Sequence, residues 1–181
     1  GDTFVQVFMN DDARKIWLEF KDESRPNTSN AARHAIIDRQ LTEALKTTPD
    51  ALVVIIGAGF DTRAFRLEGG RWIEADEPAI INYKETRLPA AKSRNPLSRI
   101  PIKFARESLK EKLASYSSQS TNTHRYRRCV NVFDRQDCTH LITTLQEIFP
   151  HHIVYCDLMR RSFFERYSRM IHEKIVSLVG S

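Results

Sequence analysis

The stretch VVIIGAGFDTRAFRL, residues 53–67, decides how the rest of the chain is read. Val53, Val54, Ile55 and Ile56 are β-branched and apolar, as a strand buried on both faces requires. Gly57-Ala58-Gly59 then closes the strand in a tight loop, because a residue without a Cβ lets the backbone turn sharply and come within van der Waals reach of a ligand. Asp61 and Thr62 follow, and their short polar side chains can cap the helix or turn that begins there. A buried strand that empties into a glycine loop and then a helix is the first strand-to-helix turn of an open, doubly wound sheet. Ligands collect there, at the carboxyl ends of the strands.

Outward from this stretch the pattern alternates. Residues 30–45 carry Ala32, Ile36, Ile37, Leu41 and Leu45 at helical spacing and run out near the Thr-Thr-Pro of 47–49. RWIEAD, 71–76, predicts a second strand and 77–88 a helix. Residues 100–104 predict a third extended piece, and 106–116, with Leu109 and Leu113, another helix. A weak fourth strand is expected over 129–133. Leu141, Ile142, Leu145, Ile148 and Phe149 set a helix over 139–149, and 152–156 is a fifth strand. Strands alternating with helices predict an α/β fold with a parallel sheet covered on both faces, in a single domain spanning 1–181.

Composition sets the outer limits. A hydrophobic share of 41% and a charged share of 28% suit a globular chain, and no apolar run reaches the ~20 residues a bilayer span needs. The first residues show no secretory signal pattern, so a cytoplasmic location is expected. Cys129, Cys138 and Cys156 are odd in number and lack CxxC spacing, which argues for reduced, packing cysteines. Neither Cys138 with His140 nor His151 with His152 has a second ligand pair at zinc spacing, so no metal is expected. The net charge of +5 gathers most sharply in HRYRR, 124–128, read here as a solvated loop after a Ser/Thr-rich patch. Nucleic acid is accordingly not an expected partner.

The second predicted strand ends in Glu74 and Asp76, which alternation puts on one side. Asp76, seventeen residues after Gly59, can accept hydrogen bonds from the ribose hydroxyls of an adenosine. This pairing of glycine loop and acid admits two cofactors. A nicotinamide dinucleotide wants a third small residue where Thr62 stands, and Asp61 would repel its pyrophosphate. S-adenosylmethionine has the ribose together with an ammonium group that Asp61 could pair with, although Asp61 and Thr62 could equally serve only as caps.

GAGFDTRAFRL followed by WIEADEPAIINYKETRL resembles the leucine carboxyl methyltransferase family, in which G-x-G-x-D-T-x-x-x-R-L and E-x-D-x-P occur together. NAARHAIID upstream is similar to the family's arginine-bearing helix, and CDLMRRSFFERY continues the likeness more weakly, so that residues 25–175 can be laid on the family. The resemblance implies a Rossmann-like class I methyltransferase sheet and an S-adenosylmethionine-dependent O-methyltransferase acting on a small-molecule or protein carboxylate or hydroxyl. Carried over by position, Arg33 would pair with the cofactor's carboxylate, Gly57 and Gly59 would approach its methionine portion, and Asp76 would hold the ribose. Asp61 and Thr62 would shape the loop, while Lys103 and Phe104 would stand at the adenine. Glu74 and Arg66 read equally well as structural ion-pair members.

The chain departs from the family at identifiable positions. IPIKF puts Lys103 where an aspartate usually accepts from the adenine amino group, and a lysine has donors only. CVNVFDRQDC lacks the family's Glu-Gly pair after the fourth strand, with Asp134 as a partial substitute. The sequence stops before the C-terminal antiparallel strand pair, which predicts either a fragment or a short form whose uncovered sheet edge drives self-association. A non-catalytic binding or assembly domain that keeps the fold is therefore the alternative reading, with an NAD-dependent oxidoreductase third.

Overall fold

In a computed structural model, residues 2–22, 24–117, 126–131, 135–149 and 152–157 are described. A 3-10 turn over Phe4–Phe8 leads into helices α1 (Asp11–Phe20) and α2 (Ser24–Thr47). Strand β1 (Leu52–Ile56), the one-turn helix α3 (Arg63–Arg66), β2 (Arg71–Asp76) and α4 (Pro78–Arg87) follow. After them come β3 (Leu97–Pro101), α5 (Leu109–Ser117), β4 (Tyr126–Asn131), α6 (Arg135–Ile148) and β5 (His152–Asp157). The strands form one sheet in the order β3-β2-β1-β4-β5, and every pair is parallel.

The order explains where a ligand would go. The chain steps outward from β1 through β2 to β3, then returns to lay β4 on the opposite side of β1. Connections therefore diverge at the carboxyl end of β1, which is the topological switch point, and that end carries the glycine loop. The sheet is covered on both faces. Val53 and Ile55 share one core cluster with Ile37, Leu41 and Leu45 of α2 and Phe65 of α3. Leu52, Val54 and Ile56 share the other with Leu109 and Leu113 of α5 and Leu145 of α6. All five residues of β1 are buried, as an uninterrupted apolar strand in a parallel sheet must be.

Three expectations need correction. β3 occupies 97–101 rather than 100–104, because Arg99 enters the sheet as the register partner of Glu74 and the two charges pair. One further ladder-like bond, from Ile102 N–H to the Asp76 carbonyl at 2.9 Å, leaves Lys103 in the turn beyond. β4 begins at Tyr126, so Arg127 and Arg128 are not part of a solvated loop. They stand in a central strand, opposite Val53 and Val54 of β1. α2 starts at Ser24, six residues before the apolar stripe that predicted it.

Asp134, the expected end of the fourth strand and residues 158–181 lie outside the described residues, as does the expected absence of an antiparallel strand pair. Among the described residues no helix is long and apolar enough to cross a membrane, and no group of three His, Cys, Asp or Glu is placed to hold a metal ion.

Candidate functional site

The loop after β1 is set by two left-handed residues. Gly57 has φ 65° and Gly59 φ 47°, conformations that strain any residue with a Cβ. The Gly57 N–H donates to the Ala75 carbonyl at 2.8 Å, which carries the β1–β2 pairing into the loop, and Asp61 N–H closes a turn on the Ala58 carbonyl at 2.8 Å. A Cβ built on Gly59 would meet nothing within 4 Å, so the loop faces open space there.

Asp76, the last residue of β2, reaches across to this loop. Its Oδ2 accepts from Gly59 N–H at 2.6 Å and its Oδ1 from Glu77 N–H at 2.7 Å. Burial raises the carboxyl above its ordinary value, and the two backbone donors and Lys84 only partly offset this. A carboxylate kept at the sheet's carboxyl edge against its solvation preference, with lone pairs left over after two backbone bonds, is an acceptor suited to vicinal hydroxyls.

Asp61 is turned inward. Its Oδ1 accepts from Arg63 N–H at 2.7 Å, which caps α3, and its Oδ2 pairs with the Arg63 guanidinium. The side chain is only 4% exposed, and its charge is answered by the Arg63 guanidinium. Thr62 donates its hydroxyl to Asp2 and accepts from Arg66 Nε at 3.2 Å. Phe60, between Gly59 and Asp61, is flanked by Phe8 at 4.8 Å between ring centroids and by Tyr83 at 5.8 Å. The first residues of the chain thus press on the loop from outside.

Beneath Asp76 lies a buried charge cluster. Glu74 Oε2 is 2.9 Å from Lys84 Nζ and 3.0 Å from Arg99 Nε, with Glu74 and Lys84 wholly buried. Desolvation lowers the Lys84 ammonium below its usual value despite the carboxylate beside it. Arg99 also pairs with Glu85. The alternative reading of Glu74 and Arg66 as ion-pair members agrees with these contacts and with Arg66 Nη1 on Asp38 Oδ2 at 2.5 Å.

The remaining predicted residues fall on two sides. Arg33 is half-buried on α2, next to His34. Lys103 is exposed, with its backbone N–H on Glu107 Oε2 at 2.7 Å, and Phe104 is half-buried, with its N–H on Glu77 Oε1 at 3.2 Å. The pair therefore sits by the end of β2, one residue from Asp76. Sequence reading noted Asp38 only as the aspartate that follows Arg33 on its helix, and missed Arg63 and His34. The available signal was the i, i+4 spacing of His34 and Asp38 on a helix together with an arginine two residues after the loop acid.

A sequence model of the leucine carboxyl methyltransferase family matches residues 2–133. The chain belongs to this family. Its members are S-adenosylmethionine-dependent methyltransferases, and the matched region contains Arg33, Gly57, Gly59, Asp61, Asp76, Lys103 and Phe104 as well as β1 to β4. No curated protein matches the chain with significance.

Proposed function

We propose that this leucine carboxyl methyltransferase family chain binds S-adenosylmethionine across the carboxyl ends of β1 and β2 and methylates an oxygen nucleophile, a carboxylate or a hydroxyl. The observation that carries the reading is the junction of Asp76 with Gly59: a partly desolvated carboxylate joined to a left-handed glycine whose missing side chain leaves open space. The residues at the carboxyl ends of β1 and β2 suit the cofactor, whereas Lys103 offers no acceptor to the adenine amino group. Asp76 has acceptor capacity for the ribose, Gly57 and Gly59 allow close approach of the methionine portion, and Arg33 can meet its carboxylate. Phe104 and the exposed stem of Lys103 border the adenine side.

When bound, S-adenosylmethionine supplies a methyl carbon activated by a positively charged sulfur. The chain's contribution is positional: an acceptor oxygen held in line with that carbon gains most of what the reaction requires. A carboxylate acceptor is already ionised at neutral pH and needs no base, which agrees with a site whose acids, Asp61 and Asp76, are both committed to backbone or guanidinium contacts. Parallel calorimetric titrations with S-adenosylhomocysteine and NAD test the reading. Heat from S-adenosylhomocysteine alone is expected, and heat from NAD alone would overturn it.

A further inference from the structure

We propose that Arg63 is a positioning residue that fixes helix α2, and with it Arg33, against the cofactor loop; the inference rests on the cofactor reading above. Arg63 is 1% exposed, and each edge of its guanidinium is engaged. On the loop side its Nη1 meets Asp61 and its backbone N–H meets the same carboxylate at 2.7 Å. On the helix side its Nε donates to Asp38 Oδ1 at 2.6 Å, and its Nη2 lies 3.0 Å from His34 Nδ1. A guanidinium only donates, so in this contact the Arg63 N–H points at the His34 Nδ1 edge of the ring.

The contacts form a clamp between two elements. His34 and Asp38 are one turn apart on α2, on the same face, so holding both sets the rotation and the height of the helix together. Arg33 adjoins His34 and shares that placement. The other jaw is Asp61, inside the loop that contains Gly57 and Gly59. Burying an arginine among carboxylates is a weak way to stabilise a fold, since apolar packing of the same volume does as well. A planar fork adds fixed direction in several bonds at once, which is what aligning an arginine on one element with a glycine loop on another requires. Burial raises the Asp38 carboxyl, but the hydrogen bonds and charges of Arg66 and Arg63 outweigh it and hold the group below its ordinary value, so the helix side of the clamp is anionic and engaged at neutral pH.

The test compares S-adenosylhomocysteine with adenosine, which lacks the amino-acid portion that Arg33 and the loop would hold. Wild type, Arg63→Lys and Asp38→Asn are titrated with each by calorimetry, with circular dichroism confirming the fold. The expected result is that Arg63→Lys weakens S-adenosylhomocysteine about tenfold or more while adenosine changes less than about twofold. Asp38→Asn, a shape-preserving change at a half-exposed helix position, shifts the same ratio in the same direction and carries the test if Arg63→Lys does not fold. Arg33→Ala is expected to lose much less affinity in the Arg63→Lys background than in wild type. Equal loss of both ligands in the variants, or an unchanged ratio, overturns the clamp while leaving the cofactor reading intact. No binding of S-adenosylhomocysteine by wild type overturns the cofactor reading and the clamp with it.

Discussion

Replacing Asp76 by alanine separates binding from folding at this site. In the free protein the carboxylate accepts from Gly59 N–H at 2.6 Å and Glu77 N–H at 2.7 Å, and under the proposed reading it also accepts from the two ribose hydroxyls. Hydrogen bonds to a charged group contribute about 1.5 to 3 kcal/mol each, and the ribose bonds share the carboxylate with two backbone donors, so the loss in cofactor affinity is about 2 to 4 kcal/mol. That corresponds to on the order of 30- to 1,000-fold in Kd. Stability responds differently. Burial raises the folded-state pKa of Asp76 above its ordinary value of 3.8, so the native state holds the proton more tightly than the unfolded chain does. The contribution of this carboxyl is then fully present below the unfolded value and is lost as pH rises through the raised folded value. At neutral pH the ionised group is an electrostatic burden on the fold, and its removal offsets the two backbone donors left to water. The net change on urea unfolding at pH 7 is expected to stay within about 1 kcal/mol, with the wild type gaining on the variant as pH falls through the folded pKa. Calorimetry with S-adenosylhomocysteine supplies the other half of the comparison. Affinity within about twofold of wild type, together with a stability loss above about 3 kcal/mol, would refute the reasoning and make Asp76 a structural capping residue.

Three further substitutions probe the surroundings. Glu74→Gln leaves the buried Lys84 and Arg99 cations facing a neutral amide and should cost about 3 to 5 kcal/mol in denaturant unfolding. Lys84→Met leaves Glu74 paired with Arg99 and relieves a desolvated ammonium, so its cost should stay below about 1.5 kcal/mol; equal losses would contradict a cluster centred on Glu74. Lys103→Asp supplies an acceptor beside the segment assigned to adenine and should tighten S-adenosylhomocysteine by on the order of 1 kcal/mol, less any repulsion from Glu107 and Glu77. Unchanged or weaker binding in that variant would place residue 103 away from adenine.

The sequence by itself determined the centre of this protein. Strands β1 and β2 fall on the residues expected for them: β1 because an uninterrupted apolar run ends in glycines that announce a turn no other residue makes cheaply, and β2 because its apolar Trp72, Ile73 and Ala75 are bounded by turn residues. The family was legible for the same reason, since its motifs lie in that local segment. What only the tertiary structure decided involves charges. Arg99 belongs in β3 because Glu74 stands opposite it across the ladder, and Arg127 and Arg128 belong in β4 because β1 and β5 supply its backbone partners. Local polarity argued against both segments, and strand preference depends on cross-strand neighbours that lie far off in sequence. Asp61 likewise read either as a partner for a ligand's ammonium or as a cap, and it was the fold that set Arg63 against it, with Asp38 and His34 on the other edges of that guanidinium. An apolar residue announces its burial through its own chemistry, whereas a charged one can be buried only with partners, and it is the fold that chooses them.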